Sequence, residues 1–148
     1  MGPSRREDWC RILAEPGGRG HAQERDHQHR LRRPEPNLSP ATRFGNLVFV
    51  SGQTGRHSVT GEVGKDIREQ TRNILERIKV ILTAAGTSLD NVLTATTYLT
   101  NRENLAGYNE EYGKYFPANK PARTTVTVAS LNAPELLIEI TVTACIPN

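Results

Sequence analysis

Two side chains of this sequence are placed to do chemistry, an arginine at the head of one extended segment and a glutamate inside another. The first lies in Lys120-Pro121-Ala122-Arg123-Thr124-Thr125-Val126-Thr127-Val128. Pro121 has no N–H to give to a sheet and holds Lys120 extended, so strand pairing is expected to begin just after it, with Arg123 at the mouth of the sheet. A planar guanidinium with five donors suits bidentate recognition of a small organic acid. The second lies in Leu136-Leu137-Ile138-Glu139-Ile140. An unpaired carboxylate in such an apolar run is costly to bury, so Glu139 has either a partner or a chemical task. The plain reading is that the two residues pair across adjacent strands; the sharper one is that they share a cleft.

The elements that must position them follow from residue patterns. Phe44 to Gly52 reads as a strand entered through a Gly-Asn turn, its continuous apolar run implying burial on both faces. Gly55, Gly61 and Gly64 punctuate the loop that follows, with a turn at Thr60-Gly61-Glu62 and room for a further short strand. Asp66 followed by Glu69 is a helix start, and Ile67, Ile74, Leu75, Ile78, Ile81, Leu82 and Ala85 recur at helical spacing up to a stop at Gly86. Val92 to Thr100 is dense in β-branched residues and reads as a strand with Leu93, Ala95, Thr97 and Leu99 on one face. A second helix is expected from Glu103 to about Phe116, with Leu105, Tyr108, Tyr112 and Phe116 inward and Pro117 ending it. Arg123–Leu131 and Leu136–Ile146 are the last strands, expected to form an antiparallel hairpin across Asn132-Ala133-Pro134 because a parallel pair needs a long crossover. The fold class is α+β: a mixed, mostly antiparallel sheet with both helices on one face. The other face then calls for a cover, and a second copy of the chain is the economical one.

Composition narrows the function classes. Residues 1–36 hold eight of the 19 basic side chains, all arginine, three of the four histidines and six of the 16 acids, with almost no aliphatic periodicity. They are expected to be a largely disordered extension, with a helical turn or two near Trp9, ahead of a single domain over 37–148. That domain is close to neutral, so it offers no basic face for nucleic acid. No apolar run approaches the ~20 residues of a membrane span, and the chain lacks the apolar core of a secretory signal. Two cysteines at opposite ends, Cys10 and Cys145, make no disulfide framework, and a reduced cytoplasmic setting is expected. His21, His27 and His29 read as a solvated polar segment, not a metal site, His57 as a loop residue and Cys145 as packing.

The residues also carry a resemblance. Leu47-Val48-Phe49-Val50-Ser51-Gly52-Gln53, Thr60-Gly61-Glu62, Gln70-Thr71, Ala84-Ala85-Gly86, Tyr108-Asn109, Tyr115-Phe116, Pro121-Ala122-Arg123-Thr124 and Ile138-Glu139-Ile140 occur in an order and spacing that resemble the reactive intermediate deaminase family, also called YjgF or RidA-like and known too as the L-PSP endoribonuclease family. It runs from about Leu38 to Ile146. The resemblance implies a chorismate-mutase-like α+β fold, a homotrimer whose sheets form a central barrel, and three clefts between subunits. It implies hydrolysis of reactive enamines and imines, such as 2-aminoacrylate and 2-iminobutanoate, to 2-keto acids and ammonia, with no metal or organic cofactor. On that likeness Arg123 grips the substrate carboxylate, Glu139 orients the hydrolytic water, and Ser51, Gly52 and Asn109 line the cleft. Two positions depart from the deaminating branch: Leu38 precedes Ser39-Pro40-Ala41 where tyrosine is common, and Thr125 stands where cysteine is frequent. A metabolite-binding regulator that uses Arg123 without turnover is the competing expectation, favoured by Leu38. Endoribonuclease activity ranks lower, for want of a charged face, paired histidines or a stacking groove.

Overall fold

Helix α1, Ile67–Ala84, begins and ends where its sequence signals stand. The computed structural model to which it belongs describes residues 37–148, and the expected extension over 1–36 lies outside the described residues, with Trp9, Cys10, His21, His27 and His29. The Glu69 N–H, which the first turn leaves free, donates to Asp66 Oδ1 at 2.9 Å, and Glu69 Oε2 reaches back to accept from the Lys65 N–H just before the cap at 3.0 Å. Just past the far end Gly86 takes φ +83°, a conformation that favours glycine. Ile67, Ile74, Leu75, Ile78, Ile81 and Leu82 are buried along one side of the helix.

That side rests on a five-stranded sheet formed by β1 (Ala41–Phe44), β2 (Leu47–Thr54), β3 (Val92–Leu99), β4 (Ala122–Thr127) and β5 (Ile138–Cys145), in the spatial order β1-β2-β5-β3-β4. Helix α2, Leu105–Tyr115, follows a single 3-10 turn at Arg102–Asn104 and packs beside α1. The fold is thus mixed α+β with two helices, as expected. The first hairpin is longer than its sequence suggests: Phe44 ends β1, and the tight Gly45-Asn46 turn, with Gly45 at φ +58°, leads into β2 at Leu47.

The expected hairpin of the last two strands does not form. β4 pairs parallel with β3, and β5 runs antiparallel between β2 and β3, so the two strands are not neighbours. The long crossover that a parallel pair requires is supplied by α2, which lies between β3 and β4 in the chain. β5 alternates strictly, with Ile138, Ile140, Val142 and Ala144 buried, and it takes the centre; β4, mostly exposed, takes the edge. Leu93 also departs from its expected face. A register irregularity between Val92 and Thr94 buries Val92 and leaves Leu93 45% exposed. Leu105, read as inward, is exposed at the start of α2.

Buried Gln70 ties the loops to the sheet. Its Nε2 donates to the carbonyls of Gly64 (2.9 Å) and Glu135 (3.0 Å), while its Oε1 accepts from the Leu137 N–H at 2.9 Å. Gln70→Ala removes all three partners at once. With each buried group left unpaired costing on the order of 1 kcal/mol or more, urea unfolding is expected to show a loss of about 3 kcal/mol.

A polar clasp joins the helices. Glu111, almost wholly buried on α2, accepts from Arg72 Nε at 2.9 Å and from Lys114 Nζ at 2.7 Å. Burial pushes its carboxyl up, but the hydrogen bonds from Lys114 and Arg72 more than reverse this and hold it below the usual carboxylate range. A lowered folded-state pKa means stability that is present above the unfolded-state value and lost as pH falls through the folded one. Glu111→Gln is therefore expected to melt below wild type at neutral pH. The gap should begin to narrow as the solution is acidified through the ordinary carboxylate range at about pH 4, and close only at the lower pH where the folded wild-type carboxyl is itself protonated.

Candidate active site between sheet edge and helix

Arg123 is the second residue of edge strand β4 and lies opposite Ala95 of β3, which in turn lies opposite Val142 of β5. Ala95 and Val142 are both buried against the helices, so Arg123 projects to the helix side of the sheet. Its guanidinium carbon sits 5.1 Å from the centre of the Tyr108 ring and 4.8 Å from that of Tyr112, within cation–π range of both. Tyr108 and Tyr112 of α2 and Phe116, which caps its C-terminus, recur every fourth residue, which stacks them on one stripe. Their rings meet edge-on at 5.4 Å and tilted at 4.6 Å. Arg123 itself is exposed and makes no ion pair among the described residues.

Thr125 faces the same side, opposite Thr97. Thr97 Oγ1 and the Tyr108 hydroxyl are hydrogen-bonded at 2.7 Å, but Thr125 Oγ1 and the Tyr112 hydroxyl are buried with no hydrogen-bond partner among the described residues. Burial, with a smaller contribution from Tyr108, pushes the Tyr112 phenol far above its usual range against the opposing pull of Arg123. It is a neutral hydroxyl at any physiological pH. Asn109, next to Tyr108, is exposed.

Glu139 occupies the opposite face. Its neighbours Ile138 and Ile140 point into the core, so its own side chain points away from the helices, half-buried, with Thr54 and Tyr98 alongside. Gly52 lies against it: a Cβ at Gly52 would overlap the Glu139 carboxylate. The β2–β5 register shifts between Val50 and Gln53, and that irregularity brings Gly52 to the carboxylate. Ser51 ties down the preceding segment, its hydroxyl donating to the Ser39 carbonyl at 2.6 Å and its amide to that of Pro40 at 2.9 Å. Leu38, at the start of that segment, is 52% exposed.

One copy of the chain therefore does not bring Arg123 and Glu139 together. Two strand spacings of about 4.8 Å separate them laterally, three residues or about 10 Å lie between them along the strands, and they face opposite ways. The plain reading, an ion pair across adjacent strands, is excluded by this strand order. The open face around Glu139 carries Phe49, Leu93 and Val126, each more than 40% exposed.

The sequence model of the family described as Endoribonuclease L-PSP matches residues 29–146. The chain belongs to this family, the YjgF/RidA family. A RutC family protein of Pyrococcus horikoshii is 45% identical over 109 residues, covering 73% of this chain and 86% of that protein. Reactive Intermediate Deaminase A of Arabidopsis thaliana is 39% identical over 94 residues, covering 63% of this chain and 50% of that protein. Among solved structures, E. coli TdcF with bound serine superposes with a TM-score of 0.73 at 32% identity, covering 79% of this chain and 94% of that one. Yeast Mmf1 gives 0.72 at 34%, covering 76% and 90%. The family thus includes reactive intermediate deaminases, as the sequence motifs imply.

Sequence reasoning does not assign Tyr108 and Tyr112 to the candidate site. Their helical spacing marks both as core, and both are buried. The signal that separates the two roles is the arginine on β4, and it becomes visible only when β4 is known to lie beside β3 and beneath α2.

Proposed function

We propose that this chain is a hydrolytic deaminase of small enamino and imino acids, such as 2-aminoacrylate and 2-iminobutanoate, giving 2-keto acids and ammonia. The observation that carries the reading is Arg123, an accessible guanidinium with no carboxylate partner among the described residues, held on two tyrosine rings at a sheet edge. Such a group is a ready fork for a substrate carboxylate. Glu139, half-buried on the other face, is the candidate for holding the water.

The two act together if copies associate through the open sheet face, where Phe49, Leu93 and Val126 await a cover. In a homotrimer each cleft would take Arg123, Thr125 and Asn109 from one copy and Glu139, with Gly52 beside it, from the next. Ser51 and Leu38 border the cleft through the segment that Ser51 fastens. Arg123 fixes the sp2 carbon of the substrate beside the water. An enamino acid first takes a proton from solvent at its terminal carbon and reacts as the imine. As water adds to the imine carbon, Glu139 takes its proton; the nitrogen, protonated in turn, leaves as ammonia, and the C=O of the 2-keto acid forms. Proximity does most of the work, because such imines also hydrolyse unaided. A carboxylate acting as a mild general base adds roughly 10² to 10⁴ in rate.

A second reading has one observation in its favour. Leu38 is exposed and apolar where the deaminating branch commonly carries a tyrosine, which suits a regulator that binds a 2-keto acid without turnover. Release of 2-keto acid from freshly generated 2-iminobutanoate decides between them. Deamination well above the spontaneous rate supports the hydrolase, and Arg123-dependent binding of 2-oxobutanoate without acceleration supports the regulator. The nuclease named in the family description has weak support here: His57, the one histidine among the described residues, uses Nδ1 to accept the Val59 and Thr60 amides at 3.3 Å within a turn.

A further inference from the structure

We propose that the Tyr98 hydroxyl is a second group that holds the hydrolytic water, which sits between it and the Glu139 carboxylate. This rests on the reading of Glu139 as the base of a small-acid hydrolase, and deepens it by naming the other side of the water's seat.

Tyr98 lies directly opposite Glu139 in the antiparallel β3–β5 ladder. Its neighbours Thr97 and Leu99 are buried toward the helices, so the Tyr98 ring stands half-buried on the open face with Glu139. Side chains paired across a ladder in this way have Cβ atoms about 5 Å apart. The two are not bonded to each other. Neither the phenol nor the carboxylate has a hydrogen-bond or ion-pair partner among the described residues.

The carboxylate also has a side to which it leans. A Cβ at Gly52 of β2 would overlap Oε1 of Glu139, and the strand order β2-β5-β3 sets Gly52 and Tyr98 on opposite flanks of that side chain. The carboxylate thus leans toward β2, and the phenol meets it through a water and not directly.

Burial of the ring does not account for its hydroxyl. Phenylalanine fits a strand as well as tyrosine does, and on a face that another copy covers it would leave no polar atom to satisfy. Val126, beside Tyr98 on β4, offers a phenol nothing, whereas Glu139 on β5 is in line with it. Once the face is covered, phenol and carboxylate each need a partner, and one water serves both.

Held at two points, the water has a fixed orientation. One of its O–H groups donates to Glu139, which takes that proton as the oxygen adds to the imine carbon. The other donates to the Tyr98 oxygen, which accepts it and keeps its own proton. A lone pair is left facing the carbon that Arg123 of the adjoining copy holds in place.

Steady-state hydrolysis of 2-iminobutanoate by the assembled protein tests this. Tyr98→Phe is expected to lower kcat about 3- to 10-fold, the span of one neutral hydrogen bond, while KM, affinity for 2-oxobutanoate and melting temperature hold. In a Glu139→Ala background the same change should have no further effect, because the water has already lost its anchor. A Tyr98→Phe variant with wild-type kcat, with its loss in KM instead, with an equal loss in both backgrounds or with a much lower melting temperature overturns the role of Tyr98 and leaves the hydrolase standing. A wild type that hydrolyses the imine no faster than the spontaneous rate overturns the hydrolase, and the water seat with it.

Discussion

Two inactive variants, produced together, are expected to restore each other. Arg123→Ala removes the proposed charge-assisted hold on the carboxylate, a contact usually worth about 1.5–3 kcal/mol, and with it the orientation of the reacting carbon. Glu139→Ala removes the proposed base. Each change alone is expected to lower kcat/KM for 2-iminobutanoate by about 10²-fold or more. The two residues face opposite sides of the sheet within one chain, so a cleft that needs both must draw them from neighbouring copies. When the variants are co-expressed with different tags and mixed trimers are isolated, each closed ring holds two copies of one variant and one of the other, which leaves about one cleft in three with both residues intact. About a third of wild-type activity should return. Mixed oligomers that stay as inactive as either parent would show that no cleft is shared between copies.

Gly52→Ala is expected to act almost as strongly by a different route. The added methyl would overlap the Glu139 carboxylate, and the carboxylate, at the end of a flexible side chain, is the group able to yield. Gly52 lies within β2 at the register shift, and its φ is not among the left-handed values, so the alanine backbone itself is unstrained. Stability should change by less than about 1 kcal/mol. The proposed water-holding group, however, would be turned away from its position, and positioning accounts for a large part of such catalysis. A fall of about 10²-fold in kcat with little change in substrate affinity is the expected result, read from steady-state kinetics beside a urea melt. If Gly52→Ala kept wild-type kcat, Glu139 would not be the group that holds the water.

Local signals carried most of the secondary structure into the sequence. The Asp66 cap and Glu69, the apolar repeat from Ile67 to Leu82 and the left-handed Gly86 depend on residues within a few positions of one another, and α1 appears as they specify. Pro121 likewise marks the start of β4 at Ala122. Where readings failed, the missing information was nonlocal. Leu93 alternates properly with Ala95, but an irregularity against β5, some fifty residues away in sequence, turns it out. The hairpin between β4 and β5 follows only from the shortness of the connecting segment, a fact about the chain between two strands that says nothing about which other strands compete for their edges.

For the site itself, the sequence alone determined which side chains have the chemistry: an arginine at the head of a strand, a glutamate within an apolar strand, a glycine at the close of the strand that starts near Phe44. Those are properties of residue type and immediate context. Only the tertiary structure decided what each one meets. Hydrogen-bonded register put Arg123 on the helix side above Tyr108 and Tyr112 and Glu139 on the open side against Gly52, because neighbouring residues in a ladder share a face and each step along a strand reverses it. One residue of slippage would have exchanged those surroundings, and no pattern within either segment records the register of the other.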